Sequence, residues 1–316
     1  MVKTIIVGII ICMLFSCSED DAVVTPGIIQ PIMISAKSGY FPSRGPWDAI
    51  AFGNDVFVAV SGSISNSVVA ISSNGVDWKE YPLPVNAYWS DIVYGEGLFV
   101  IIGDYYSVLT SKDGINWTKR SLPMSAVWTA IAYGDGKFVA LAYSESAAVI
   151  SDDGFSWKIS HSYRTRKWCS LTYGAGKFIG IAFDSYYSML SVDGIDWEEH
   201  LLTYAINDWH GIGYGDGKYV ITGGKTDDSL YSIDGKNWSK SKMPSDGFWC
   251  SVAYGNGKFL AVKPSGREVA FSTNGIYWNE ARLPKYGGWH DVTHGNGLFV
   301  VISSGSTSSN TLSFSL

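Results

Sequence analysis

All thirteen tryptophans of the chain fall at two positions of one repeating unit. Seven open a motif of the form W-x-x-I-A-Y-G-x-G-K-F-V: Trp47, Trp89, Trp128, Trp168, Trp209, Trp249 and Trp289. Six close a second motif, S-x-(D/N)-G-x-x-W: Trp78, Trp117, Trp157, Trp197, Trp238 and Trp278. Successive first-motif tryptophans are 42, 39, 40, 41, 40 and 40 residues apart. A fixed period in this range means stacked supersecondary units that share a core. It overrides the two-domain expectation that length alone would give.

One unit reads as four short strands. Residues 128–133 are apolar with small residues between them, as in a strand buried on both faces. Gly134-Asp135-Gly136 is a tight hairpin turn, because Asp-Gly tolerates positive φ. Residues 137–142 and 147–151 are the second and third strands, Asp152-Asp153-Gly154 is another turn, and Trp157 opens the fourth. Four antiparallel strands per unit without helical periodicity predict a propeller blade.

The last unit stops where its second motif would begin, so it lacks a fourth strand. The segment 28–40, with the strand-like Ile32-Met33-Ile34-Ser35, stands upstream of Trp47 without a unit of its own. The expected fold is therefore all-β: a seven-bladed β-propeller of four-stranded antiparallel blades. An N-terminal strand completes the last blade and closes the ring, which removes free sheet edges.

The second motif resembles the Asp-box of sialidase-like propellers, in a form one residue shorter and with Asn74 and Asn274 replacing Asp in two copies. The resemblance covers residues 47–316. Its Asp or Asn is expected to accept hydrogen bonds from its own turn. Sialidases use three arginines, a Tyr/Glu pair and an acid. Here Arg44, Arg120, Arg164, Arg166, Arg267 and Arg282 all lie off the inner strands, so the activity is not carried over.

The N-terminus predicts export. Lys3 precedes an apolar run from Ile5 to Phe15, too short to span a membrane and suited to a signal peptide. Leu14-Phe15-Ser16-Cys17 resembles the lipobox of bacterial lipoproteins, which implies acylation of Cys17. Ser18-Glu19-Asp20-Asp21 is similar to the acidic export signal of surface lipoproteins in certain Gram-negative bacteria. The expected organisation is a signal peptide over 1–16, an acylated tether over 17–27 and the propeller over 28–316. The expected location is the outer membrane, facing the cell surface or the periplasm, as a lipid-anchored monomer. Cys12 leaves with the signal, so only Cys169 and Cys250 remain beside Cys17, and no disulfide framework is implied.

The chain carries 29 acidic and 23 basic residues, net charge −6, with no basic cluster. That argues against nucleic acid as a partner.

Residues that recur in every unit read as scaffold, so function is expected in the nonrepeating loops. These carry Asp104, Tyr105, Tyr106, Tyr143, Glu145, Asp184, Tyr186 and Tyr187, with aromatic rings beside carboxylates. Such a surface suits sugars, whose apolar faces stack on rings while their hydroxyls meet acids. Asp91 and Asp291 share an early first-strand position and should face the mouth of a central channel; His210 and His290 share one blade position with Ser90, Thr129, Cys169 and Cys250 and are further ligand-binding candidates. His290 and His294 are about 13 Å apart on one strand, too far for one ion. His294 stands in the recurrent Tyr slot as a core substitute. No metal site and no cofactor is expected. The reading favours a non-catalytic, surface-anchored glycan-binding module. The alternatives are a protein-protein interaction scaffold of a cell-envelope complex and a glycoside hydrolase with a divergent active site.

Overall fold

The structure is a computed structural model that describes residues 31–143, 145–160, 164–183, 185–202, 208–224, 226–304 and 310–316. The predicted signal peptide, Cys17 and Asp184 lie outside the described residues. Every element among the described residues is a β-strand. Residues 31–316 form one compact unit.

Each repeat folds as an antiparallel meander. In the first, Trp47–Gly53, Val56–Ser61, Val68–Ser72 and Lys79–Pro82 pair in that order. The fifth repeats this pattern with Trp209–Gly215, Lys218–Gly223, Asp228–Ser232 and Ser239–Lys242. The hairpin between the first two strands follows the turn chemistry: Asp135 and Gly136 take φ of 48° and 71°, the double positive φ that matches strand twist. The second turn is held by its own side chains. In repeat two the Asp113 Oδ1 accepts from the amides of Ile115 and Asn116, each at 2.8 Å, and from the Ser111 hydroxyl at 2.9 Å.

Among the described residues the sheets number five, because repeats two to four merge into one of ten strands. Thr118–Gly134 runs without a break from the second repeat into the third, and Tyr143 pairs with both Val127 and Lys167.

Packing runs between repeats. The buried apolar residues form seven clusters, each drawn from two neighbouring repeats and each holding one first-motif tryptophan. Each of these tryptophans is the largest kind of side chain in its cluster and is almost fully buried. At the far end of each first strand, the Tyr-slot ring lies flat on the preceding repeat's glycine. A Cβ on Gly134 would sit 2.0 Å from the Tyr173 ring. His294 fills this slot against Gly255 and pairs with Phe299 at 4.9 Å, as Tyr133 pairs with Phe138 at 4.7 Å. In the last repeat, Gly295 faces Phe52 of the first.

The N-terminal segment differs from expectation in its division of labour. Lys37–Tyr40 pairs antiparallel with Asn310–Phe314, as the fourth strand of the last repeat. Ile32–Met33 does not join it. It pairs parallel with Ala281 and Arg282, the outer strand of repeat six. The cause is anchoring: Ile34 buries in the cluster between repeats six and seven, and Phe41 stacks on Trp47 at 3.8 Å. The intervening chain must therefore pass from one sheet edge to the next.

Candidate functional site

The first strands of all seven repeats converge on one cavity of about 140 Å³. The pairing register slips just after the tryptophan, between Trp89 and Asp91 and likewise at Trp47, Trp168, Trp209 and Trp289. A bulge of this kind re-aims a side chain. It brings both residues after the tryptophan to the wall, including Asp48, Asp91, His210, His290 and Asp291.

The two predicted carboxyl groups bridge neighbouring repeats. Asp91 Oδ1 accepts from its own strand at Ile92, at 2.8 Å, and Oδ2 accepts from the Ile131 amide of the next repeat, at 2.9 Å. Asp291 Oδ2 accepts from the Ile50 amide at 2.9 Å, and Oδ1 accepts from the Ser251 hydroxyl at 2.6 Å and the Val292 amide at 2.9 Å. Burial pushes Asp91 up to about 7, against the two amide bonds that lower it and with the Asp291 charge adding to the rise. Burial also raises Asp291 and Asp48. Burial lowers His210, although Asp208 at 3.3 Å opposes this. The surroundings thus favour the uncharged forms of these four groups. His210 is further held between Phe183 and Phe248, with ring centroids at 4.9 and 4.0 Å. His290 Nδ1 meets the Asp48 carbonyl at 3.1 Å. Among the described residues no group of three His, Cys, Asp or Glu side chains could hold a metal ion.

The predicted loop residues form a second feature. In the first repeat the second strand ends level with the first-strand tryptophan, as the pair Trp47 and Ser61, so the chain beyond it starts on the cavity side. In repeat two Trp89 pairs with Gly103, but the strand runs on unbroken from Leu98 to Ser111 through Asp104, Tyr105 and Tyr106. Backbone pairing aligns Asp104 with Val127, Val127 with Tyr143, and Tyr143 with Lys167. Around this row Tyr105, Tyr106, Tyr143 and Tyr186 are 69, 53, 36 and 40% exposed. Tyr105 takes a φ of 66°, and its carbonyl accepts from Trp128 Nε1 at 2.8 Å. The backbone is thereby held while the ring stands in solvent.

Tyr187 is not part of this exposed set. It is half-buried beneath the Arg166 guanidinium at 4.3 Å, which is itself paired to Glu199 at 2.9 and 3.1 Å. Glu145 is half-buried. Sequence reasoning missed Asp48 as a cavity residue. Its place directly after Trp47, equivalent to His210 and His290, was the available signal. It also missed Ser251 as the donor that holds Asp291.

No family model matches the sequence, and no curated protein does so significantly. Solved structures do match. Virginiamycin B lyase from Staphylococcus aureus is similar with a TM-score of 0.77 at 12% identity, covering 90% of this chain and 99% of that one. YCF48 bound to D1 peptide gives 0.70 at 12% identity, over 90 and 99%. The Pan2 WD40 domain of Neurospora crassa gives 0.70 at 9% identity, over 90 and 97%. At these identities the likeness establishes the fold alone, and that fold is a β-propeller.

Proposed function

We propose that the chain is a seven-bladed propeller and a non-catalytic, surface-anchored module that binds glycans through its tyrosine-rich face. The observation that carries the ligand class is the exposure of Tyr105, Tyr106, Tyr143 and Tyr186 around one paired backbone row. Contiguous exposed apolar groups mark binding surfaces, and the flat faces of tyrosine rings suit the C–H faces of sugar rings. Asp104 beside them, and the polar cavity wall, offer acceptors for hydroxyls.

Closure of the ring by Lys37–Tyr40 is supported by that strand's pairing, by the bond from Ile50 to Asp291, and by the contact of Gly295 with Phe52. The six second motifs are read as shortened Asp-boxes, which is consistent with their side-chain-held turns. Anchoring at Cys17 and an outer-membrane location rest on the lipobox-like sequence. A protein-interaction role is the second reading, since one protein of similar fold is described as bound to a peptide. The hydrolase reading is weakened by Asp91 and Asp291: the oxygens of both already accept structural hydrogen bonds, whereas glycoside hydrolysis needs one acid and one base free to act.

A glycan array probed with the purified protein tests this. Binding that disappears when Tyr105, Tyr106 and Tyr186 are changed to alanine is expected. Sugar release from any glycoside, or retention on the array by the triple variant, would overturn the proposal.

A further inference from the structure

The opposite face holds a pocket that the repeat pattern does not predict. It has a volume of about 300 Å³ and lies between the second-motif turns of repeats two and three. Its origin is a departure from the repeat. The residue before the motif serine is Ile71, Ile150, Leu190, Tyr231 or Phe271 elsewhere, but Thr110 in repeat two. Ile71, Ile150 and Leu190 reach under the turn glycine of the following repeat. A Cβ on Gly114, Gly194 or Gly235 would lie 3.4, 3.0 or 3.2 Å from them. Thr110, shorter than the Ile or Leu at those seams, instead lines the open space beside repeat three. The shorter threonine leaves the seam open.

A second departure gives the pocket its charge. The third residue after the motif tryptophan is Tyr81, Ser160, His200, Ser241 or Ala281 elsewhere, and Arg120 here. Thr110 pairs with Thr118 and Val108 with Arg120, so all four side chains share the face turned to repeat three. The Arg120 guanidinium lies over the Phe155 ring at 4.7 Å. Its Nε is buried and has no hydrogen-bond partner. Lys112 adds a second cation to the wall. The one carboxylate there, Asp113, has its oxygens bonded to its own turn and to the Asn116 amide. Two cations against one acid, with an unanswered donor, make an electropositive notch.

We propose that this notch binds the oxyanion group of a ligand, a carboxylate or a sulfate, through the planar Arg120 guanidinium, with the Thr118 hydroxyl and Lys112 as auxiliary donors. A guanidinium fixed on an aromatic face presents its N–H groups in the fork geometry that such groups match. The site is separate from the tyrosine face and does not depend on the glycan reading.

The test is NMR of the arginine Nε–H groups in the purified protein at constant ionic strength, with the Arg120 signal assigned by its loss in Arg120→Gln. Sulfate, acetate, glucuronate and glucose are titrated separately. The expected result is a saturable shift of the Arg120 signal with the anions and none with glucose. Tighter binding of glucuronate than of acetate would place the anion on a sugar; tighter binding of sulfate would place it on a sulfate group or the free ion. Thr110→Ile, which restores the residue of neighbouring repeats, should weaken binding at least tenfold while the protein stays folded. In a parallel assay sulfate, which stabilises folded proteins generally by exclusion, should raise the melting temperature of the native protein more than that of Thr110→Ile. The proposal is overturned if no anion shifts Arg120 saturably, or if Thr110→Ile binds as tightly as the native protein.

Discussion

Replacing Gly134 by alanine isolates the packing that joins one repeat to the next. The added Cβ would lie 2.0 Å from Cγ of Tyr173 and 2.2 and 2.3 Å from the Cδ atoms. Ordinary carbon contacts are about 3.5–4.0 Å, so the ring would have to withdraw by roughly 1.5 Å. Phe178 stands behind it, with ring centroids 4.7 Å apart, and obstructs that movement. Overpacking of this kind costs about 3 kcal/mol, at the upper end of the usual range. At about 2–4 °C per kcal/mol for a domain approaching this size, the melting temperature should fall by roughly 6–12 °C. Gly136→Ala is the control. No atom lies within 4 Å of its Cβ, and its φ of +71° is the only difficulty. Left-handed backbone costs an L residue about 1 kcal/mol, hence a fall of about 2–4 °C. Thermal unfolding followed by near-ultraviolet circular dichroism reads both. Equal melting temperatures for the two variants would refute the argument that this seam is closed by ring-on-glycine contact.

Three further outcomes follow from the same geometry. Phe41→Ala removes the ring stacked on Trp47 and should cost about 3–5 kcal/mol in denaturant unfolding; a loss below about 1 kcal/mol would mean that the N-terminal segment is not part of the core. Asp91 is raised in the folded state to about 7 from an ordinary 3.8, so its contribution to stability is fully present below about 4 and is lost as pH rises through 7. Asp91→Asn should flatten the denaturation midpoint over that interval, and an unchanged slope would contradict the assignment. The turn carboxylates Asp113, Asp153, Asp193 and Asp234 are lowered. Their contribution works in the opposite sense and is lost below the ordinary carboxylate range. Burial pushes the Cys250 thiol up to about 12, so iodoacetamide at pH 8 should modify it in denaturant but not in the native protein; rapid native labelling, read by peptide mass, would contradict this.

The sequence revealed the architecture because its signals repeat. A tryptophan every forty residues must be buried each time, and Asp-Gly or Asn-Gly marks four of the seven first hairpins, with Asn54-Asp55, Glu96-Gly97 and Ala175-Gly176 taking the same positive φ at the others. Asp91 and Asp291 share one register position of the first strand, His210 and His290 share the position before it, and all four line one cavity. Their hydrogen bonds were not legible. They depend on a bulge after the tryptophan and on amides of the adjacent repeat, such as Ile131 and Ile50, that are far away in the chain. Tyr187 looked equivalent to Tyr186, but alternation along its strand turns it toward Arg166. The division of the N-terminal segment between two sheet edges was set by where Ile34 and Phe41 find buried sites, which no local pattern records. Thr110 and Arg120 were visible as departures from the repeat, yet only the structure shows the open space that they line.

Photocrosslinking tests the central claim most directly. A glycan retained on the array is resynthesised with a diazirine on a peripheral hydroxyl, bound to the native protein and irradiated, and the modified peptides are identified by mass spectrometry. The account predicts adducts in the segments that contain Tyr105, Tyr106, Tyr143 and Tyr186, suppressed by excess unlabelled glycan. Suppressible adducts confined to the turns around Asp113 and Asp153, with none on the tyrosine segments, would contradict it.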